Sequence, residues 1–282
     1  MSAELEKLLN SVYDKSDNTK RSYKVQYNKF LKTLNDLDMP PAIHLNSQQK
    51  LLDIALEQPK ANSQQALINI AILARRLYGL DVKILIAGRE NGKGKIDVEN
   101  KVKNVYLKDT LPTLEELEEY TQYLYDNHKW TDYIINYLLL NLQVRNQDLN
   151  FKIVMRLKDT TNTDKNYIWL THKKCVFIRN VYKTEGTHGQ KVNTILDVDF
   201  RHALKMVAQH QKHNEDAGVF TSGQEQIGYY IKKATYKNIG EGAYMKIIID
   251  ATRGDLQKLK QISENRGTRI KTLIENYDLA NQ

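Results

Sequence analysis

One stretch near the middle of the chain is apolar on every side, and it limits the folds that the rest can adopt. It runs from Trp130 to about Gln143 and is rich in tyrosine, isoleucine and leucine, with the sequence Tyr133-Ile134-Ile135-Asn136-Tyr137-Leu138-Leu139-Leu140 at its centre. A helix that is hydrophobic all round lies in the interior of a protein. We therefore expect this helix to be fully buried.

An arginine follows this buried helix directly, in the sequence Val144-Arg145-Asn146-Gln147-Asp148-Leu149. A charged group at the mouth of a buried helix is costly unless it has a partner. Two interpretations are open at this point. Arg145 forms a structural ion pair with Asp148, or Arg145 is directed at an anion that the protein binds.

Helices and a few short strands surround this stretch in the sequence. Thr113 and Glu116 have the spacing of a capping box, which predicts that a helix begins there. After the buried helix come four strand-like runs, Asn166–Leu170, Lys174–Ile178, Val181–Thr184 and Val192–Ile195, with a glycine-flanked turn between the last two. Helical patterns then cover 199–213, 224–234, 241–250 and 255–262. This order predicts a mainly α fold with a small antiparallel sheet, an α+β domain.

The part of the chain before residue 80 has helical patterns without a strand pattern, which predicts a small helical bundle. Gly88, Gly92 and Gly94 then alternate with basic residues, which indicates an exposed, flexible loop. We therefore predict three regions: a helical domain at 1–87, a linker at 88–110 and a second domain at 111–282.

The formal net charge is +8, which favours a polyanion such as DNA or RNA as partner. A merely basic soluble protein is the alternative. One face of the first long helical pattern carries lysine and arginine, and such a face either contacts phosphate or is simply solvated. The candidate DNA-binding residues are Lys20, Arg21, Lys24, Arg75, Arg89, Lys93 and Lys95.

Several classes of protein are not expected. The sequence has no apolar run long enough to span a membrane, and its first residues lack a signal-peptide pattern. A single cysteine, Cys175, excludes an internal disulfide and favours a reducing, intracellular compartment such as the cytoplasm, the nucleus or a viral factory. His210 and His213 lie three residues apart without a further ligand nearby, so we expect no metal and no cofactor.

The end of the chain has a basic turn, Arg266-Gly267-Thr268-Arg269, before a short amphipathic segment. Gly267 is typical of a turn or helix cap, and Thr268 is a candidate cap of the helix that follows. Apolar side chains up to Tyr277 then share one helical face, which points Tyr277 inward. Tyr277 is either a packing residue or a functional group.

The order of these features resembles the tyrosine recombinase superfamily, the phage-integrase-like enzymes that break and rejoin DNA and are related to type IB topoisomerases. Arg145-Asn146-Gln147-Asp148-Leu149 is similar to the first catalytic-arginine motif of the family, and Lys183-Thr184 is similar to its hairpin lysine. Gly267-Thr268 stands where the family has Gly-His or Gly-Trp. Tyr277 follows at the separation that is usual for the nucleophile. The helical N-terminal region at 1–87 resembles the core-binding domain of the family, which grips the other face of the DNA.

The sequence departs from the family pattern at one motif. The His-x-x-Arg box of the family should lie about 20 residues before Gly267, and the sequence there reads Ala243-Tyr244-Met245-Lys246. Lys246 would then supply the second cation, although lysine lacks the planar fork of arginine. Arg266 or Arg269, on either side of the Gly-Thr pair, is a candidate auxiliary cation that compensates for the missing arginine.

The resemblance implies a site-specific recombinase or integrase of a virus or mobile element. It implies that Tyr277 attacks the phosphate to form a 3′-phosphotyrosine link, that Arg145 holds two phosphate oxygens, and that Lys183 protonates the leaving 5′-oxygen, without ATP or metal. The partner would be double-stranded DNA, bound by a homodimer or homotetramer. Two alternatives stay open: a DNA-binding protein with a decayed site on the same scaffold, and a topoisomerase-like relaxing enzyme.

Overall fold

The computed structural model describes residues 2–210 and 224–279. They form a mainly α-helical chain with one small four-stranded sheet, so the predicted α+β class is confirmed. The chain divides into two compact units, Met1–Lys103 and Asn104–Gln282. None of the described helices has the length and apolar character needed to cross a bilayer.

The first unit is helical, as predicted, and serine side chains start three of its helices. Ser2, Ser16 and Ser47 each accept a hydrogen bond from a backbone NH of the first turn. The core of this unit includes Leu8 and Phe30, both fully buried. The helices are α1 (Ala3–Ser11), α2 (Asp17–Asp36), α3 (Gln48–Leu56), α4 (Ala61–Arg76) and α5 (Lys83–Thr110), the last of which continues past the boundary between the units.

The predicted flexible linker at 88–110 is wrong in its secondary structure, because α5 runs through it without a break. The glycines have a packing role instead. A Cβ atom on Gly88 would collide with Leu52 of α3, and one on Gly92 would collide with Gln65 of α4. Because these glycines are four residues apart, they share one helix face and let α5 approach its neighbours closely.

The second unit surrounds α7 (Trp130–Asn141), whose residues Ile134, Leu138 and Leu139 are almost completely buried. The predicted burial of this helix is confirmed at these positions, whereas Trp130 and Leu140 are only partly buried. The predicted capping box at Thr113 and Glu116 is also present. The other helices are α6 (Leu114–Asp126), α8 (Glu185–His188), α9 (Val198–His210), α10 (Gln224–Ala234), α11 (Glu241–Ala251), α12 (Leu256–Arg266) and α13 (Ile270–Tyr277).

The sheet is mixed, and the antiparallel sheet that the sequence predicts is wrong in one strand pair. Strand β1 (Phe151–Val154) pairs in parallel with β2 (Asn166–Leu170), while β3 (Cys175–Arg179) pairs antiparallel with β2 and with β4 (Lys191–Thr194). The four residues of β1 are too few for a clear alternation of apolar and polar positions, so the sequence pattern does not mark them as a strand.

Cys175 lies buried in β3, and burial raises the pKa of its thiol to about 12. Its side chain packs in the hydrophobic core of the second unit.

The predicted strand at Val181–Thr184 is also wrong, since these residues form a turn that leads into α8. The buried side chain of Asn166 explains the difference. Its Oδ1 accepts the backbone NH groups of Asn180 and Val181 at 2.9 and 2.8 Å, and its Nδ2 donates to the carbonyl of Val181. The carboxamide of Asn166 thus forms the hydrogen bonds with the backbone of Asn180 and Val181 that a neighbouring strand would otherwise form.

The packing of α5 predicts opposite effects for two similar substitutions. Gly88→Ala should lower the free energy of unfolding by about 1 kcal/mol, because overpacking against Leu52 outweighs the gain in helix propensity. Gly94→Ala, where a Cβ meets nothing within 4 Å, should raise it by about 0.5–1 kcal/mol. Urea denaturation followed by far-ultraviolet circular dichroism measures both, and stabilisation by Gly88→Ala would contradict the packing role.

Candidate active site

Arg145 is fixed by a short 3-10 turn, Asn146–Leu149, that follows α7. Asp148 Oδ2 accepts the backbone NH of Arg145 at 3.1 Å, and the guanidinium turns toward the end of α12. There its two terminal nitrogens donate to the carbonyl of Arg266 and to Thr268 Oγ1, each at 2.6 Å. The first candidate cation therefore lies against the Gly267-Thr268 turn.

Gly267 ends α12 in the left-handed conformation, with φ 58° and ψ 49°. The predicted cap at this position is confirmed. A Cβ there would lie 2.5 Å from Thr184 Oγ1 and 3.0 Å from Lys191 Nζ, so the absent side chain also lets the β3–β4 connection approach. The prediction that Thr268 caps the last helix is wrong: Arg269 is the N-cap residue, and the Thr268 hydroxyl accepts from Arg145 instead.

Arg266 is 2% exposed and brings three functional groups together. Its Nη1 donates to the carbonyl of Gln143 at 2.9 Å. Its Nη2 donates to Glu241 Oε1 at 2.5 Å and to the hydroxyl of Tyr277 at 3.3 Å. The guanidinium carbon is 5.4 Å from the centre of the Tyr277 ring. The auxiliary cation that the sequence suggests thus contacts the predicted nucleophile directly.

Tyr277 is the last residue of α13, and the helix faces as the sequence predicts. Leu273 is fully buried and anchors α13 on the core, while Ile270 and Tyr277 are partly buried beside it. Since positions four apart share a helix face, Leu273 directs Tyr277 toward Arg266. The phenol keeps partial access to solvent.

Arg179, at the end of β3, supports this arrangement and was not singled out by the sequence. Its side chain is fully buried and donates to Asp148 Oδ2 at 3.3 Å, to the carbonyl of Asn265 at 3.1 Å and to Asn193 Oδ1 at 2.8 Å. Asp148 therefore pairs with Arg179, which leaves the Arg145 guanidinium for other acceptors. Because an isolated buried charge is rare, a fully buried arginine is hard to anticipate from sequence.

The lysine that contacts this cluster is Lys191, the first residue of β4. Its ammonium donates to the carbonyls of Glu264 and Asn265 at the end of α12, the latter at 3.2 Å. Lys183, the residue that the sequence suggested, is exposed on the turn before α8. Lys183 lies in the β3–β4 connection, and Lys191 is the residue at which this connection ends. Pattern alone does not distinguish them, because the turn geometry decides which one reaches α12.

Lys246, on α11, is directed toward α5 and not toward the end of α12. Its ammonium donates to Asn104 Oδ1 of α5, and the neighbouring Tyr244 and Met245 are buried. Arg266, and not Lys246, is the cation that contacts both Arg145 and Tyr277. Glu241, in the first turn of α11, is a further member of the cluster that sequence reasoning missed.

The charges of the cluster influence one another. Burial lowers the pKa of Arg145, and the nearby Arg266 lowers it further. Burial also lowers the pKa of Lys191 to about 8, with contributions from Arg179 and Arg145. Four cations therefore converge around the end of α12, and their mutual repulsion favours an anion among them.

The candidate DNA contacts of α2 lie on its surface. Arg21 and Lys24 are exposed, and Lys20 lies 3.9 Å from Asp17. Arg75, on α4, instead donates to the carbonyls of Asn46 and Asp81 at 2.5 and 2.9 Å. Arg75 therefore connects two loops of the first unit, whereas the α2 cations face outward.

The three basic residues of α5 are arranged along its surface. Arg89 and Lys93 form ion pairs with Glu90 at 3.1 and 2.7 Å, and Lys95 is exposed. Their contact with DNA stays a prediction.

Within 2–210 and 224–279, no group of three or more histidine, cysteine or acidic side chains has the geometry to hold a metal ion. Of the histidine pair considered above, His213 lies outside the described residues.

The chain matches no protein-family model and no curated protein in sequence. Among solved structures it is similar to one described as the crystal structure of XerA recombinase, with a TM-score of 0.38 and 12% identity over 98% of this chain and 93% of that chain. Similarity at this level does not establish a shared activity.

The environment of Lys191 predicts an early titration. Competitive acetylation at increasing pH, followed by mass spectrometry, should show Lys191 reaching half of its maximal reactivity near pH 8. Arg145→Gln should move this midpoint upward, because it removes one neighbouring positive charge that disfavours the ammonium form. A midpoint at the ordinary lysine value of about 10.4 in the unsubstituted protein would contradict the cationic surroundings.

Proposed function

We propose that this protein cleaves and rejoins double-stranded DNA through a covalent link between Tyr277 and a 3′-phosphate, as a site-specific recombinase or integrase does. One observation carries the proposal: Arg266 donates to the Tyr277 hydroxyl while Arg145 contacts the same turn of chain. A tyrosine nucleophile needs fixed cations that stabilise the phosphate that it attacks, and these two guanidinium groups can supply that charge.

The reaction follows from these groups. The phenol of Tyr277 loses its proton to water, and its oxygen attacks the phosphorus as the bond to the 5′-oxygen breaks. Arg145 and Arg266 stabilise the charge on the non-bridging oxygens, which the planar guanidinium suits. The phosphotyrosine bond conserves the energy of the broken bond, so a 5′-hydroxyl can attack in reverse and restore the strand without ATP.

The leaving 5′-oxygen needs a proton, and Lys191 is better placed than Lys183 to supply it. Lys191 lies against the cluster, while Lys183 is exposed on the turn. A pKa lowered to about 8 suits an acid that donates a proton near neutral pH. If Lys191 has this role, strand cleavage slows as the pH rises through about 8, because the ammonium form is lost.

A DNA-binding protein without cleavage activity is the second candidate, and a specific observation favours it. Arg145 and Lys191 donate to backbone carbonyls at the end of α12, and Lys246 donates to Asn104 rather than completing a His-x-x-Arg box. A site that no longer cleaves would tolerate such internal contacts. The topoisomerase-like alternative shares the chemistry of Tyr277 and differs in assembly.

We further propose that the helical region up to residue 87 grips the duplex through the exposed cations of α2, and that the cations of α5 contact its backbone. Recombination requires two cleaved duplexes, so the active form would be a homodimer or homotetramer on DNA. The buried free thiol of Cys175 fits an intracellular, reducing compartment.

Covalent capture tests the cleavage. Supercoiled plasmid and nicked duplexes, denatured with detergent after incubation, should yield protein-linked DNA that Tyr277→Phe abolishes while filter binding at low salt is unchanged. Relaxed plasmid without recombinant products would favour the topoisomerase-like alternative. Binding without any adduct, on plasmid and on a pool of random duplexes, would contradict the proposal and favour the second candidate.

Substitutions of the individual cations test which of them act in cleavage and which do not. Arg145→Ala and Lys191→Ala should each slow adduct formation by about 10²- to 10³-fold, the usual cost of one transition-state donor, with a much smaller loss of binding. Lys183→Ala, on the same connection between β3 and β4, is the matched control and should change the rate little. A slow Lys183→Ala variant beside a normal Lys191→Ala variant would reverse the assignment of the two lysines.

A further inference from the structure

Glu241 holds the cationic cluster in a way that the proposed reaction does not use. It is the first residue of α11, and its Oε1 accepts from Arg266 Nη2 at 2.5 Å. Its Oε2 also accepts the backbone NH of Asn146 at 3.4 Å, in the turn that follows Arg145. The carboxylate of Glu241 thus contacts both Arg266 and the turn that follows Arg145.

The donors of Arg266 show what this carboxylate occupies. Nη1 is committed to the carbonyls of Gln143 and Val144 within the fold. Nη2 is shared between Glu241 and the Tyr277 hydroxyl. Among the described residues, Nε of Arg266 is buried and has no hydrogen-bond partner. A phosphate beside Tyr277 must therefore compete with Glu241 for the same guanidinium.

The carboxylate of Glu241 and a phosphate at the same guanidinium would repel each other, because both carry negative charge at short distance. The Glu241 side chain is 16% exposed against 2% for Arg266, so the carboxylate is the more solvent-accessible member of the pair. Displacing it leaves the bonds of Arg266 to Gln143 and Val144 intact. A carboxylate, like the phosphate that would replace it, is an anion that accepts hydrogen bonds from a guanidinium group.

We propose that Glu241 is an acidic placeholder: it occupies Arg266 in the absence of DNA and yields this position to a phosphate of the bound strand. The inference rests on the proposed function, since it assigns a regulatory group to the same site. The placeholder neutralises a buried cation in the resting protein and makes occupation of the site depend on an anion that binds more strongly than the carboxylate.

Binding measurements test the placeholder. Glu241→Gln keeps the size of the side chain and removes its charge. This variant should therefore bind short duplex DNA about 5- to 10-fold more tightly than the control variant does. The control is Glu118→Gln, which removes one negative charge from an exposed position of α6 and keeps the net charge equal. Inorganic phosphate, titrated by calorimetry, should show the same order of affinities. Equal affinities of the two variants for both probes would overturn the inference.

A second variant covers the case in which Glu241→Gln does not fold, as judged by circular dichroism. Glu241→Asp keeps the charge but shortens the reach toward Arg266, so it should also bind DNA and phosphate more tightly than the unsubstituted protein. Unchanged or weaker binding by Glu241→Asp would then overturn the placeholder.

Covalent capture in the same samples separates this inference from the proposed function. Tighter binding by Glu241→Gln without any adduct in any variant supports the placeholder and contradicts cleavage. An adduct in the unsubstituted protein, with Glu241→Gln binding no more tightly than Glu118→Gln, supports cleavage and overturns the placeholder. A loss of adduct in Glu241→Gln at unchanged affinity would also overturn it, because the carboxylate would then act in the chemistry itself.

Discussion

The buried pair of Arg179 and Asp148 is the interaction on which the rest of the candidate site depends. Arg179 belongs to the sheet, Asp148 to the turn after α7, and the guanidinium also reaches the end of α12 through Asn265. Three separate elements therefore meet at one fully buried side chain. Removing one partner of a buried pair typically costs about 3–5 kcal/mol, since the other charge is left alone. Asp148 also accepts the backbone NH of Arg145, so the same carboxylate positions the residue that is proposed to hold the phosphate.

The end of α12 organises the remaining cations without using acidic side chains for most of them. The last carbonyls of a helix carry partial negative charge, which attracts positive groups. Lys191, Arg179 and Arg145 donate in turn to the carbonyls of Glu264, Asn265 and Arg266. Partial charges help to hold these side chains in place, and Arg179 is in addition paired with the carboxylate of Asp148. Glu241 is the carboxylate on Arg266, whereas carbonyl and hydroxyl oxygens accept the hydrogen bonds of Lys191 and Arg145. Such a cluster is preorganised for an anion.

Sequence reasoning succeeded where local periodicity decides the structure. The buried helix α7, the glycine at the end of α12 and the inward face of α13 follow from patterns within a few residues. It did not succeed where distant residues decide. Strand β1 depends on its partner β2, the turn at 181–184 depends on Asn166, and the helix through Gly88 depends on Leu52. Lys191, Arg179 and Glu241 join the site through contacts with α12, which no spacing within their own segments reveals.

The position of Tyr277 depends on the number of residues in the short helix α13 more than on the identity of its outward side chains. It starts three residues after the left-handed Gly267 and has only eight residues, so the direction of Tyr277 is set by counting residues from that glycine. Each residue turns a helix by about 100°. One inserted or deleted residue within α13 would rotate the phenol away from Arg266, whereas exchanges at the exposed Lys271, Thr272 and Glu275 would leave it in register. Natural variants of this chain should therefore differ freely in the outward side chains of α13 while keeping its length constant.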